Sequence, residues 1–407
     1  MYFITYFDRV NIATAAPLLQ RDLGLSHLQF GLVLSLFAYP YAVFQLAGGW
    51  LADRFGPRVT LGVCGTVWSL ATAAIGAASS FWTLGLARFA LGAGEGAAFP
   101  TATRAMSNWM RKTELGFAQG ITHTASRLGN AAAPVLVVAL LQVTSWRGAF
   151  ITMGVVSAAW VLLWVWRFRD APSEHEARFE NAATMPVPVR PRPIPWTRLF
   201  RRMFPLTVVA FCYAWTVWVY LNWIPSYFVS NFGFDLKKSA LFTTGVLLAG
   251  VVGDTAGGVL SDWLLKRTGS LIVARRNLML VGLAGCFLAL CPIVFLKDAR
   301  AALVCLSLAF LFGELIVAPI WVVPMDIAPR YAASASGMMN FGFGVAGIVS
   351  PVAFGLIVDR TGNWGFPFIS SLLLLLIGAT VVFFLRPDRA FAEDEVAAGV
   401  EAADLRA

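Results

Sequence analysis

The sequence predicts an all-α membrane protein whose twelve transmembrane helices form two six-helix bundles. Of its 407 residues, 58% are hydrophobic and only 13% are charged, whereas charged residues make up about 25% of an average soluble domain. Twelve apolar runs each approach the roughly 20 residues that a helix needs to cross a bilayer. Two sequence signatures also occur once in each half of the chain, which indicates that the halves are repeats.

The apolar runs follow one another with short connections, and one longer connection separates six runs from six. The runs lie at 2–20, 29–52, 58–79, 82–104, 115–141, 146–169, 204–229, 238–263, 275–295, 299–322, 332–358 and 363–386. The connection at 170–203 is rich in Pro and Arg and can bury little apolar surface, so it is predicted to be a linker. The predicted organisation is an N-terminal bundle at 1–169, a cytoplasmic linker at 170–203, a C-terminal bundle at 204–386 and an acidic cytoplasmic tail at 387–407.

Lysine and arginine gather in alternate loops, which predicts the orientation of the chain in the membrane. These loops contain Arg54 and Arg58, Arg104 with Arg111 and Lys112, the central linker, Lys266 and Arg267 with Arg275 and Arg276, and Arg330. The same loops and both termini are therefore predicted to be cytoplasmic. The net charge of +9 is explained as a topology signal, so the expected surroundings are a lipid bilayer and no nucleic-acid partner is expected.

The repeated signatures follow matching runs in the two halves. "GGWLADRFGPR" at 48–58 follows the second run and "GGVLSDWLLKR" at 257–267 follows the eighth. In the same way, "GITHTASRLGNAAAP" at 120–134 lies in the fifth run and "GMMNFGFGVAGIVSP" at 337–351 lies in the eleventh. Duplication of this kind is typical of transporters whose two bundles rock about a site at the midplane.

Charged residues of the first signature predict a gate at the cytoplasmic ends of the helices. The candidate gating residues are Asp53, Arg54, Arg58, Asp262 and Arg267. Ion pairs and charge-dipole contacts there would hold the two halves together in one conformation and release them in the other. The alternative is ordinary positive-inside topology, which explains the cations and leaves the repeated aspartate unexplained.

The first signature resembles the loop signature of the major facilitator superfamily, and the resemblance covers nearly the whole chain. Four more segments, in order, resemble its anion:cation symporter family: "YFDRVNIATAAP" at 6–17, "ARFALGAGEGAAFP" at 87–100, "YLNWIPSYF" at 220–228 and "WVVPMDIAPR" at 321–330. The resemblance implies the major facilitator fold and a bacterial inner membrane location. It also implies import of sugar acids or other organic anions together with protons, with no cofactor beyond the coupling proton.

Four ionisable residues lie inside the first and fourth runs: Asp8, Arg9, Arg88 and Glu95. Each costs about 2.5 to 3.5 kcal/mol at the centre of a span and therefore needs a partner or a cavity. Asp8 and Arg9 are about 100° apart on a helix and should serve different partners, whereas Arg88 and Glu95 share a face. They could be structural ion pairs. The resemblance implies instead that Asp8 and Glu95 accept the coupling protons and that Arg9 and Arg88 bind or gate the anion.

Further polar and aromatic side chains predict a substrate cavity. Besides the two arginines, the candidate substrate-binding residues are Tyr6, Tyr41, His123, Arg127, Tyr220, Asn222, Trp321 and Asn340. His123 and Arg127 share one stripe of the fifth run, while four of the others, Tyr6, Tyr41, Trp321 and Asn340, are implied by the resemblance. The alternative for the aromatic residues is a role as interface anchors or in packing.

Arg127 predicts the charge of the substrate. A third cation in the cavity would meet a second acidic group, so a dianion or trianion should be preferred over a monoacid. The alternative is that Glu95 or Glu314 already neutralises Arg127.

The predicted function is secondary active import of a small carboxylate with protons by alternating access, and a monomer is expected. Two alternatives stay open: a proton-coupled exporter of drugs or cations, which would favour buried acids without arginines, and a receptor that kept the transporter fold. A membrane enzyme is disfavoured, because the three histidines form no His-Glu-x-x-His pair and no phosphate-binding loop is present.

Overall fold

The computed structural model describes residues 1–109, 115–170, 195–328 and 332–391, and within these ranges nearly all residues are helical. The helices are α1 Tyr2–Leu23, α2 His27–Gly76, α3 Phe81–Gly96, α4 Ala98–Trp109, α5 Leu115–Val143, α6 Trp146–Arg167, α7 Trp196–Phe232, α8 Leu236–Thr268, α9 Leu278–Leu290, α10 Ala299–Glu314, α11 Val317–Ile327, α12 Ala332–Thr361 and α13 Pro367–Phe383. A π-helical segment, Ile272–Asn277, precedes α9, and a short 3-10 helix, Cys291–Val294, follows it.

The second and third predicted spans form one helix with a break inside it. Gly56 has φ 78° and ψ 155° within α2, a backbone conformation that glycine adopts with little strain. Pro57 follows and begins the second part, where its missing N–H is no loss. Arg58 donates its backbone N–H to a carboxylate oxygen of Asp170 at 2.7 Å, which ties the break to the end of α6.

The fourth span of each half is broken at a matching place. In the first half α3 ends at Gly96 and α4 begins at Ala98; in the second half α10 ends at Glu314 and α11 begins at Val317. The helix after each break has a proline at its third position, Pro100 in α4 and Pro319 in α11. Because proline has no N–H to donate to the residue four before it, the helical ladder is interrupted at these points.

Nine segments of the described chain are long and apolar enough to cross a membrane. The other three predicted spans correspond to α1, to α3 with α4, and to α13, an apolar helix of 17 residues. Counted along the described chain, the helices therefore give six spans before residue 171 and six after residue 194.

The chain divides into two compact units, Met1–Pro193 and Ile194–Ala407. In the first unit, a Cβ added at Gly129 of α5 would lie 2.5 Å from the carbonyl oxygen of Phe3 in α1. In the second unit, a Cβ at Gly342 of α12 would lie 2.3 Å from the carbonyl oxygen of Thr207 in α7. Thus the first and fifth spans of each unit pack backbone to backbone, which only small residues permit.

The C-terminal end of α1 and the N-terminal end of α6 are joined by a polar contact. Arg147 and Trp146, at the start of α6, both donate hydrogen bonds to the carboxylate of Asp22 near the end of α1. The hydrogen bond and charge of Arg147 lower the pKa of Asp22. This exposed pair fixes how the two helices meet at one end of the unit.

Candidate functional site

Two helices of the first unit bring four ionisable side chains into its interior. Asp8 and Arg9 lie on α1 and Arg88 and Glu95 lie on α3, with exposed fractions of 1%, 8%, 2% and 0%. A charged group buried to this degree is costly unless it is paired and hydrogen-bonded. The contacts that each of the four makes therefore decide what the cluster can do.

Arg9 forms an ion pair with Glu95, with 3.2 Å between Nε and Oε2. Its guanidinium also lies over the rings of Tyr6 and Tyr41, at 4.4 and 4.5 Å from their centroids. A cation held between two aromatic faces is stabilised by their negative quadrupoles without needing water. Two predicted substrate-lining residues, Tyr6 and Tyr41, thus contact Arg9 directly.

Asp8 has different partners from its neighbour Arg9. Its Oδ1 accepts a hydrogen bond from Nδ2 of Asn11 at 3.0 Å, and its Oδ2 accepts one from the hydroxyl of Thr72 at 3.3 Å. Asp8 also borders a cavity of about 420 Å³ between α1, α5 and α6, whose wall is apolar apart from Thr152 and Ser157. Thr72 was not among the predicted site residues, because its contact with Asp8 joins positions that are 64 residues apart.

Arg88 is the least satisfied member of the cluster. Its guanidinium lies 4.8 Å from the ring centroid of Phe37 and interacts electrostatically with Glu95 and Asp8. Among the described residues, its Nε and Nη1 have no hydrogen-bond partner, and the same holds for Nη2 of Arg9 and Oε1 of Glu95. Unfilled donors on buried guanidiniums next to an unfilled carboxylate oxygen are the groups that an anion and a proton would satisfy.

The second unit carries a glutamate that matches Glu95. "GEGAAFP" at 94–100 and "GELIVAP" at 313–319 share Gly-Glu, a four-residue gap and Pro. Glu314 is fully buried and ends α10, at the same break in the fourth span where Glu95 lies in the first unit. The match is present in the sequence, but its significance depends on the helix break, where both glutamates lie.

Two other predicted substrate residues, Tyr220 and Asn222, have contacts within the second unit. Tyr220 is buried, stacks on Phe310 at 4.8 Å and donates to the carbonyl oxygen of Leu306 at 3.2 Å. Asn222 donates to the carbonyl oxygen of Trp218 at 2.9 Å. The remaining two differ in accessibility, since Trp321 is exposed and Asn340 is half-buried.

In the first unit, the predicted stripe on α5 is only partly described. Arg127 is half-buried and Asn130, three residues further on, is buried. The side chains of His123 and of the gating residue Asp53 lie outside the described residues.

Three of the predicted gating residues have the following contacts. Arg54 is exposed and lies 5.5 Å from the ring centroid of Phe55. Arg58 donates from Nε to the carbonyl oxygen of Val165 at 2.9 Å. In the second unit Arg267 lies over the ring of Trp263 at 5.1 Å.

The remaining gating residue, Asp262, belongs to a cluster that the sequence did not reveal. Arg275 of the π-helical segment is buried and binds Oδ2 of Asp326 at 3.1 Å and the hydroxyl of Ser261. Asp262, whose side chain is 73% exposed, approaches the same guanidinium at 3.8 Å. In the sequence Arg275 is one of the basic loop residues and Asp326 lies in the segment at 321–330, and neither pattern indicates that the two side chains meet.

Solved structures with the same fold are membrane transporters. A bacterial homologue of the human lysosomal transporter Spinster, in an inward-facing and unoccupied conformation, matches with a TM-score of 0.79 at 18% identity, over 97% of this chain and 96% of that one. A D-xylose-proton symporter matches with a TM-score of 0.76 at 14% identity, over 94% and 95% of the two chains. At these identities the likeness establishes the fold, and the predicted fold class of twelve transmembrane helices is confirmed.

Sequence relatives identify the family. A probable sulfoacetate transporter of Cupriavidus necator is 51% identical over 395 residues, or 95% of this chain and 92% of that protein. A hexuronate transporter of Bacillus subtilis is 31% identical, over 94% of this chain and 92% of that protein. The sequence profile of the Major Facilitator Superfamily matches residues 1–351, and the chain belongs to this superfamily, as its signatures predicted. Its relatives are transporters of organic anions and not enzymes.

Proposed function

We propose that the protein is a proton-coupled importer of a small organic anion that works by alternating access in a bacterial inner membrane. The observation that carries the proposal is the buried cluster in which Glu95 neutralises Arg9 while Arg88 keeps two unfilled donors. The proton is the only coupling ion required, no cofactor takes part, and the working unit is a monomer. Both termini lie on the cytoplasmic side, in keeping with the distribution of Lys and Arg.

Competition for Arg9 couples the two substrates. With Glu95 ionised, Arg9 is held in an ion pair and is a poor partner for another anion. When Glu95 takes up a proton, it gives up most of its attraction for the guanidinium, and a substrate carboxylate can replace it as a charge-assisted partner. The cluster then keeps the same net charge, because one negative charge has been exchanged for another. An anion therefore enters together with a proton.

Asp8 supplies a second proton site in this proposal. It lies next to Arg9 in sequence but is held by Asn11 and Thr72, so its protonation does not compete for the Arg9 guanidinium directly. It acts on the cluster through its charge, which interacts with Arg88. Two acids with separate partners allow two protons to accompany a doubly charged anion.

A dianion with a carboxylate and a second acidic group fits the cluster best, and sulfoacetate is the first candidate. The 51% identity with a probable sulfoacetate transporter over almost the full length supports it. Sulfoacetate carries a carboxylate and a sulfonate, so one group can meet Arg9 or Arg88 while the other meets Arg127. Because charge-assisted hydrogen bonds are roughly twice as strong as neutral ones, a monoanion of similar size would forgo one of these two contacts.

Uptake into proteoliposomes tests the proposal. Sulfoacetate should accumulate when the pH is lower outside and should fail to accumulate without the pH gradient. In competition assays, glucarate, a dianion, should inhibit sulfoacetate uptake more strongly than the monoanions acetate and galactonate. Arg127→Ala should weaken sulfoacetate about tenfold or more and acetate much less, since a charged hydrogen bond contributes about 1.5 to 3 kcal/mol. Equal potency of dianions and monoanions, or an equal loss for both in the variant, would contradict the charge assignment.

A further inference from the structure

A basic pocket outside the proposed transport cluster lies at one end of the second unit. Its volume is about 860 Å³, and it lies between the start of α7 and the chain that follows α13. The lining residues fall into two groups, five arginines and an apolar wall: Arg198, Arg201, Arg202, Arg386 and Arg389, with Pro205, Val381, Phe384, Leu385, Ala390 and Phe391. A concentration of guanidiniums on one surface creates a positive local potential that attracts anions.

One of the five arginines, Arg202, builds the pocket. Arg202 donates from Nη2 to the carbonyl oxygens of Arg386 and Arg389, at 2.7 and 2.8 Å. It thereby holds the segment after α13 against the start of α7. The backbone N–H of Phe391 donates to the carbonyl oxygen of Ile327 at 2.7 Å and anchors the far end of the segment. Arg201 is exposed, as are Arg386 and Arg389.

The charge of the pocket is strongly positive. Asp388 is the acid that interacts with Arg202, and its own side chain is exposed. Among the described residues of the pocket and its edge, one aspartate accompanies five arginines, and this excess of positive charge attracts anions. Arginine also suits phosphate in particular, because its planar donors can bind two oxygens at once.

The pocket continues into surface that faces lipid. Exposed aromatic side chains surround it on α7 and α13: Trp196, Phe200, Phe204, Phe383 and Phe384. Aromatic and basic residues together mark the border between the hydrocarbon and the water. The arginines thus lie at headgroup level, and the apolar wall extends towards the region of the acyl chains.

We propose that this pocket binds the phosphodiester headgroup of an anionic phospholipid from the surrounding leaflet, with an acyl chain along Phe384 and Val381. Charge selects the headgroup, and the apolar wall selects a lipid over a free phosphate. Clusters of basic residues at the cytoplasmic face of membrane helices bind acidic lipids on the same principle. The proposal is independent of which organic anion is transported, because all lining residues lie at one end of the second unit.

Lipid binding to the purified full-length protein tests the proposal. Native mass spectrometry would count bound cardiolipin or phosphatidylglycerol, with phosphatidylcholine as the neutral comparison. The double substitution R201Q/R389Q should weaken the tightest anionic-lipid site about 30-fold, since each basic residue near a membrane surface contributes about fivefold. The matched control is K237Q/R300Q, which removes the same charge from exposed positions. Lys237 lies beyond the other end of α7, a helix of 37 residues and so about 55 Å long.

Each result supports or overturns the assignment. A selective loss in R201Q/R389Q, with the control at wild-type affinity and both variants melting at the wild-type temperature, supports it. Equal losses in both double variants, or equal binding of phosphatidylcholine, would overturn it. Full displacement of the lipid by millimolar glycerol phosphate would assign the pocket to a soluble phosphate. A marked gain in lipid binding when Glu393, Asp394 and Glu395 are replaced by their amides would assign it to the acidic tail.

Discussion

Replacing Glu95 by Gln should separate proton coupling from anion binding if the proposed exchange at Arg9 operates. The substitution keeps the shape of the side chain and removes the charge that holds Arg9, whose Nε lies 3.2 Å from Oε2. At an effective dielectric constant of about 20, two unit charges about 4 Å apart attract by about 4 kcal/mol. Much of that is offset by the cost of keeping both charges out of water. The neutral amide still accepts a hydrogen bond from Arg9, so the net loss of attraction is smaller than the Coulomb energy.

A charge-assisted hydrogen bond contributes about 1.5 to 3 kcal/mol and a neutral one about 0.5 to 1.5 kcal/mol, a difference of about 1 to 2 kcal/mol. An anion that must displace residue 95 from Arg9 should therefore bind about 5- to 30-fold more tightly to Glu95→Gln than to the wild type at alkaline pH. The affinity of the wild type should rise as the pH falls, because protonation of Glu95 has the same effect as the substitution. The affinity of the variant should depend less on pH.

Equilibrium binding of sulfoacetate between pH 5.5 and 8.5, together with uptake in proteoliposomes, measures both effects. Glu95→Gln should exchange substrate for substrate and should not accumulate it against a gradient. Asp22→Asn is the matched control, since it neutralises an exposed acid whose partner, Arg147, lies away from the cluster. If Glu95→Gln still concentrates substrate, or keeps the pH dependence of the wild type, then Glu95 is a structural ion-pair partner and the coupling proton binds elsewhere.

Two predictions concern stability and are checked by thermal unfolding in detergent. Gly92→Ala should destabilise the protein by about 1 to 3 kcal/mol, because the added Cβ would lie 2.1 Å from a backbone carbonyl oxygen of α2. The control is Gly337→Ala, whose added Cβ meets nothing within 4 Å. Similar melting temperatures of the two variants would contradict this packing. Asp326→Asn should lower the melting temperature more than Asp262→Asn, because Arg275 is buried and loses its closer partner in the first case. The opposite order would show that the exposed aspartate carries the interaction.

Composition and hydrophobic periodicity determined the fold class by themselves. A bilayer accepts only segments that satisfy their own backbone hydrogen bonds, so long apolar runs have to be helices and their number fixes the architecture. The repeated signatures and the short family segments then determined the superfamily. For the site, the cost of a charge in hydrocarbon marked Asp8, Arg9, Arg88 and Glu95 before any contact was known.

Tertiary structure decided which of these charges meet. Asp8 and Arg9 are adjacent in the sequence, yet one is held by Asn11 and Thr72 and the other by Glu95. Helical periodicity could separate the two side chains but could not choose their partners, because those partners lie on helices whose rotation and depth are set by packing.

The same limit explains the residues that the sequence left out. Arg275 and Asp326 are 51 residues apart, and each has an ordinary interpretation on its own, as a loop cation and as a helix-end acid. The match of Glu314 with Glu95 was also present in the letters, but its meaning depends on the break that Pro100 and Pro319 impose on their helices. A linear pattern records which groups are present and how often they recur. The distances between segments depend on how the helices pack, through close contacts such as that at Gly92. Only the folded chain therefore determines which charged residues form pairs.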